Sequence, residues 1–140
     1  MSFEDVASAV AASPAVAAAW VFGSVARNEA RPDSDLDVAL LLRDPEATAV
    51  TCRRDIQDLA ARLETVSSRR VDLVVLTLRD PIIAQRVLSE GRLVLDADPE
   101  RRIGFCSNVL ARYLDWAPRY EAAARQSLAT IRAWAERQGS

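Results

Sequence analysis

The sequence predicts an α/β (α+β) fold: a small mixed β-sheet of about four strands, helices packed on one face, and a C-terminal helical tail. Three observations predict it. Short β-branched or Leu-rich runs, such as Leu36–Leu42 (LDVALLL) and Val71–Leu76 (VDLVVL), alternate with longer segments that are apolar at steps of three and four. Pro, Gly and Ser-Asp clusters punctuate the change from one pattern to the other. From Pro99 onward no strand-like run remains. Alternating strands and helices that must bury one another give a layered domain.

Taken in order, residues 3–12 read as a short helix that ends near Ser13-Pro14. Ala18–Phe22 is an apolar run stopped by Gly23-Ser24, and it reads as a buried strand followed by a helical turn. Leu36–Leu42 is the second strand. Pro45 suits the first turn of a helix, whose inner face is Cys52, Ile56, Leu59, Leu63 and Val66. Ser67-Ser68-Arg69 ends it. Val71–Leu76 is the third strand. Asp80-Pro81 opens the next helix, with Asp80 as its cap and Gly91 closing it. Leu93–Leu95 is a short fourth strand. Pro118 kinks or divides the helical tail.

The 140 residues favour one domain, with residues 1–97 as core and 98–140 as tail. Half of the residues are apolar, and 25 are Ala, which favours helices with small contact faces. Val6–Ala26 carries no charge, but its Ser, Pro and Gly content and its acidic leader Glu4-Asp5 argue against export or a membrane span. A soluble, cytoplasmic protein is expected. All 18 basic residues are Arg. Residues 1–100 hold 11 Arg against 17 acids, whereas residues 101–140 hold 7 Arg against 3 acids. The acidic core would repel a nucleic-acid backbone, so no direct nucleic-acid binding is expected. The basic tail either faces an acidic partner or RNA, or is a solvated face with Arg stems lying on apolar surface.

Composition also limits the chemistry. With no His, the Ser-His-Asp and Cys-His arrangements are impossible. Two cysteines, Cys52 and Cys106, build neither a Cys-rich zinc site nor a disulfide framework, and both read as small buried hydrophobes. Carboxylates, hydroxyls, Arg and backbone amides remain, a set suited to metal-assisted phosphoryl or nucleotidyl transfer.

Those groups concentrate in Gly23-Ser24-Val25-Ala26-Arg27 and in Asp33-Ser34-Asp35-Leu36-Asp37. Alternation along a strand points Asp35 and Asp37 the same way. Two carboxylates that close repel unless a cation or a proton intervenes, and hard divalent ions with oxygen ligands, Mg²⁺ first, meet that need. Asp72 interrupts an apolar strand, which is costly unless it is paired or bound to metal. If its strand lies beside Leu36–Leu42, the three carboxylates can hold two Mg²⁺ ions, with Asp72 placed to accept a proton from an attacking hydroxyl. Gly23 lets phosphate approach the backbone, Ser24 adds a hydroxyl donor, and Arg27 reaches the same phosphates. Each piece also has a plain reading: a turn at Gly-Ser, a loop or cap at Asp-Ser-Asp, and an ion pair of Asp72 with Arg69 or Arg70. The conjunction is far more specific than its parts.

At these residues the sequence resembles the DNA polymerase β-like nucleotidyltransferase superfamily. Within it, GSVARNEARPDSDLDVALLL resembles the minimal nucleotidyltransferase (MNT) antitoxins, which pair with HEPN-domain toxins. The likeness extends to VDLVVL, to DPIIAQRVLSEGRLVLDADP and, less specifically, to RYLDWAPRYEAAARQ. The resemblance implies a Mg²⁺-dependent, ATP-using enzyme. Such an enzyme transfers AMP to a tyrosine of a cognate HEPN ribonuclease and silences it. It also implies that Asp35, Asp37 and Asp72 carry the metal and the catalysis, with Gly23, Ser24 and Arg27 binding the nucleotide. Asn28 departs from the Gly of many relatives, and Asn tolerates the left-handed conformation such a turn needs. Two alternatives stay open. One is an antitoxin that acts by occlusion, with Tyr113, Trp116, Tyr120 and Trp134 as an interface, although the same stripe fits a helix core. The other is a small-molecule, aminoglycoside-type nucleotidyltransferase. Homo- or hetero-oligomers are compatible with either.

Overall fold

The computed structural model describes residues 2–116 and 132–138. The chain opens with α1 (Phe3–Ala11), whose start is fixed by reciprocal bonds. Ser2 Oγ accepts from Asp5 N, and Asp5 Oδ2 accepts from Ser2 N, both at 3.1 Å. Next come β1 (Val16–Phe22), the single-turn α2 (Gly23–Ala26) and β2 (Leu36–Leu42). They are followed by α3 (Arg53–Ser67), β3 (Val71–Val75), α4 (Pro81–Glu90), β4 (Arg92–Asp96) and α5 (Pro99–Trp116). A further helical segment, α6, covers residues 132–138. Pro118 and Tyr120 lie outside the described residues, so the expected kink does too.

The sheet has the order β3-β2-β1-β4. β1 runs antiparallel to β2 and β4, and β2 runs parallel to β3 through the α3 crossover. The expected mixed four-stranded sheet is therefore present. Its helices, however, cover both faces rather than one. Ala18, Trp20, Ala39 and Leu41 pack with Ala84, Val87 and Leu88 of α4, with Phe105, Cys106 and Val109 of α5, and with Trp134 of α6. Val21, Leu36, Val38 and Leu40 pack with Val6 and Val10 of α1 and Leu59 and Leu63 of α3. The physical reason is legible in β1 and β2, which are apolar at nearly every position and so need cover on both sides. Ala17, Ala18 and Ala19, all fully buried, keep the central strand thin enough for both helical layers to approach.

Two local expectations give way. Pro45 does not start a helix; residues 43–52 form turns. Asp44 Oδ1 accepts from Glu46 N at 2.9 Å, and Thr48 Oγ1 and Thr51 Oγ1 exchange bonds with each other's amides. These side chains offer the backbone an alternative to the helical ladder. Gly91 closes α4 in an extended conformation (φ −78°) rather than a left-handed one. Its missing side chain matters because a Cβ there would lie 2.5 Å from Val87 O.

Several arginines of the basic tail are engaged within the molecule. Arg101 Nε donates to Leu42 O at 3.1 Å, and Arg112 Nη1 to Leu78 O at 3.3 Å. Arg102, 4% exposed, pairs with Asp96 at 3.0 Å and donates to Gln138 O, joining α5, β4 and α6. Asp96→Ala leaves that buried guanidinium uncompensated. It should cost roughly 2–3 kcal/mol, below the full penalty of a dry pair because Asp96 is partly exposed. Urea unfolding checks this; a variant within experimental error of the parent would show that water already screens the pair.

Candidate functional site

The sheet topology assembles the site. Because β1 and β2 are antiparallel, the C-terminal end of β1 lies beside the N-terminal end of β2, and Phe22 is the register partner of Asp37. Because β2 and β3 are parallel, Asp37 is the register partner of Asp72. Register partners on adjacent strands direct their side chains to the same face. Asp37 and Asp72 therefore stand side by side, on the face that further along the strands carries Ala39, Leu41 and Leu76. Asp35 precedes β2 by one residue and is exposed, as is Asp72; Asp37 is half-buried.

Asp37 senses the other two carboxylates. Burial pushes the Asp37 carboxyl above its ordinary value, Asp72 and then Asp35 raise it further, and Arg27 opposes them. Gly23 sits directly against this group with φ +72°, and a Cβ placed on it would lie 2.2 Å from Asp37 Oδ2. Only glycine meets both demands, a left-handed backbone and a carboxylate at backbone distance. α2 then turns the chain away, and Asn28 exits with φ 58°, the left-handed conformation its side chain tolerates.

The plain reading of Asp72 as an ion-pair partner is not what is seen. Among the described residues it joins no salt bridge, and Arg69 donates instead to the carbonyls of Arg31 and Ser34. Arg27 is near the site but holds Glu29 at 3.2 Å, with both side chains largely exposed. Such a pair contributes about 0–1 kcal/mol and yields readily to a phosphate. Glu29 and Arg69 are site neighbours that motif reasoning passes over, since neither belongs to a short pattern.

The donor set fits a hard divalent cation: three carboxylates, two of them in register on adjacent strands, with Asp37 carrying the repulsion that a cation would relieve. Among the described residues no three acidic or sulfur side chains already surround one point. A cleft of about 620 Å³, lined by Leu42, Asp44, Thr48, Thr77, Arg79 and Arg101, lies at the other end of β2 and β3. Val75, which also lines it, is the register partner of Leu40, so the cleft begins three residues of strand, roughly 10 Å, from the Asp37–Asp72 pair.

Of the remaining expected features several are core, although Cys52, expected as a buried hydrophobe, is only half-buried. Trp134 is 1% exposed and Tyr113 packs against the same cluster, so these two are part of the core. The Trp116 side chain and Tyr120 fall outside what is described. Cys106 is buried, and burial pushes its thiol up to about 11, as expected of an inert packing residue. No described helix is long and apolar enough to cross a membrane.

A glycine-led turn after one strand, set against acidic residues on the next two, defines a nucleotidyltransferase-type domain. A family model described as polymerase beta, nucleotidyltransferase, matches residues 4–100, and the chain belongs to that family. Solved structures share the fold. A toxin–antitoxin with AMP-PNP aligns with TM-score 0.65 at 19% identity, covering 91% of this chain and 99% of that one. The toxin–antitoxin MntA-HepT aligns with TM-score 0.57 at 19% identity, over 90% and 96%. A tri-AMPylated Shewanella oneidensis HEPN toxin in complex with MNT antitoxin gives TM-score 0.57 at 18% identity, over 91% and 99%. Among curated proteins, none matches the chain at a significant level.

Proposed function

We propose that this protein is an antitoxin that transfers AMP from ATP to a tyrosine of a HEPN-type ribonuclease toxin, neutralising it in the cytoplasm. The observation that carries the reading is the Asp37–Asp72 register pair with the Gly23 backbone against it. Two of the structural neighbours support the substrate assignment: one was solved with AMP-PNP and another holds an AMPylated HEPN toxin. Residues 1–140 act as a single minimal nucleotidyltransferase domain, with 1–97 as catalytic core and 98–140 as helical tail.

In this reading Asp35, Asp37 and Asp72 hold Mg²⁺, two ions when the site is full. Bound Mg²⁺ supplies Lewis-acid neutralisation of the triphosphate and of charge developing at the transferred phosphorus. Gly23 and Ser24 accept the phosphates at the end of β1, and Arg27 exchanges Glu29 for a phosphate oxygen. The toxin tyrosine oxygen attacks the α-phosphorus, the bond to the β-phosphate breaks, and pyrophosphate leaves. Asp72, exposed at the rim, receives the tyrosine proton. Positioning and charge neutralisation supply most of the rate in such transfers. The exposed rim suits an acceptor presented by another protein better than a small molecule needing an enclosing pocket.

Incubation with ATP, Mg²⁺ and a cognate HEPN protein should add one or more adenylyl groups to the toxin, read by intact mass. An unmodified toxin with its tyrosine accessible would overturn the reading. Neutralisation retained by a double variant, Asp35→Asn with Asp37→Asn, at native expression would favour occlusion instead.

A further inference from the structure

The segment that delivers Asp35 has no regular structure: residues 27–35 are turns and open backbone between α2 and β2. Within it, Arg31 N donates to Ser34 Oγ at 2.8 Å and Ser34 N to Arg31 O at 3.0 Å. These bonds close a local turn without tying it to the sheet. Arg69 makes that tie. Its Nη1 donates to Arg31 O at 2.7 Å and to Ser34 O at 2.9 Å, across 38 and 35 residues of sequence.

Arg69 is itself held. α3 ends in a left-handed cap at Ser68 (φ 55°), which reverses the chain. Arg69 N donates to Ser67 Oγ at 3.2 Å, and Leu36 N donates to Arg70 O at 2.8 Å. The side chain thus leaves the backbone three residues before Asp72 and grips the carbonyl immediately before Asp35. Bonds from a charged donor are about twice as strong as neutral ones.

We propose that Arg69 is a positioning residue for the carboxylate cluster: it clamps the Arg31–Ser34 turn to the start of β3, so that Asp35 is presented beside Asp37 and Asp72 for a divalent cation. The proposal rests on the nucleotidyltransferase reading of the same carboxylates. Without the clamp, mutual repulsion drives Asp35 and its turn outward, and the cation must restore their placement at its own expense.

The sign of the effect separates positioning from charge. Removing a cation held against the carbonyl that precedes Asp35 strengthens divalent-ion binding if charge alone matters, whereas loss of the clamp weakens it. Mn²⁺ alone, titrated into the full chain, is the probe. Arg69→Met should bind Mn²⁺ roughly ten-fold more weakly, the scale typical of residues that orient metal ligands. Amide exchange over residues 31–36 should accelerate in the metal-free protein. Arg69→Lys, whose shorter ammonium reaches the carbonyls less well, should fall between the two. Unchanged or tighter Mn²⁺ binding by a folded Arg69→Met overturns the proposal. If the Met variant does not fold, a Lys variant with parental Mn²⁺ affinity and parental exchange overturns it equally. A parent protein that takes up no Mn²⁺ overturns the nucleotidyltransferase reading as well. Parental binding matched by the Met variant overturns the clamp alone.

Discussion

Asp37→Asn is expected to remove nucleotidyl transfer while making the unliganded protein more resistant to heat. Asp37 is the middle of the three carboxylates and the register partner of Asp72, so its loss removes a ligand shared by the cluster. Charge stabilisation by a bound metal is worth several kcal/mol. At about 1.4 kcal/mol per factor of ten, the expected fall is roughly 10³-fold or more. Stability moves the other way. Burial and the neighbouring carboxylates raise the Asp37 carboxyl above its ordinary 3.8, so the folded state binds its proton more tightly than the unfolded chain does. Ionising it costs stability at every pH above the raised folded value, and that cost fades as pH falls toward 3.8. The Asn variant should melt about 1–3 °C higher at neutral pH, a modest gain because Asp37 is only partly buried and water screens the repulsion. The gain should shrink as pH is lowered through the same window. Scanning calorimetry at neutral and mildly acidic pH, beside AMP transfer to the toxin, checks both halves. A variant that is less stable than the parent would mean that Asp37 makes a structural bond in the metal-free protein.

The carboxylates were legible because strand chemistry is local. Leu36–Leu42 and Val71–Val75 announce themselves by β-branched and Leu content, and an Asp inside either stands out against its neighbours. Their pairing is not local: a single-helix connection implies parallel strands, but the register that sets Asp37 beside Asp72 is seen only in the fold. Gly23 was legible through close phosphate approach and Asn28 through the family resemblance, and both adopt positive φ. What escaped was long-range or competitive. Helices on both faces follow from the completeness of burial along β1, a property visible only when the strand is known to be central. The late start of α3 follows from side chains of Asp44, Thr48 and Thr51 that win backbone bonds from the helix. The grip of Arg69 on Arg31 and Ser34 joins residues with no periodic relation, and only the folded chain brings them together.

Gly23→Ala should be the second most damaging single change, and its cost has two separable parts. The first is backbone strain: at φ +72° an L side chain is disfavoured, by roughly 1–2 kcal/mol. The second is collision, because the new Cβ would lie 2.2 Å from Asp37 Oδ2 and 3.2 Å from Asp37 Cγ. Either the carboxylate or the turn must shift, and a displacement on the order of 1 Å at reacting groups can cost about 10²-fold in rate. A double-mutant cycle resolves the two. Asp37→Ala removes the colliding atoms and leaves the Asp37 Cβ at 3.5 Å, ordinary contact distance. Gly23→Ala should therefore cost less stability in the Asp37→Ala background than in the parent. The expected coupling is roughly 0.5–3 kcal/mol, as for residues in direct contact, with the strain term surviving. Urea unfolding of the four proteins measures it. A Gly23→Ala cost that is the same in both backgrounds would show that the turn, not the carboxylate, absorbs the added methyl group. In that case the transfer activity of Gly23→Ala should fall mainly through weaker nucleotide binding, since α2 would move while Asp37 kept its place beside Asp72.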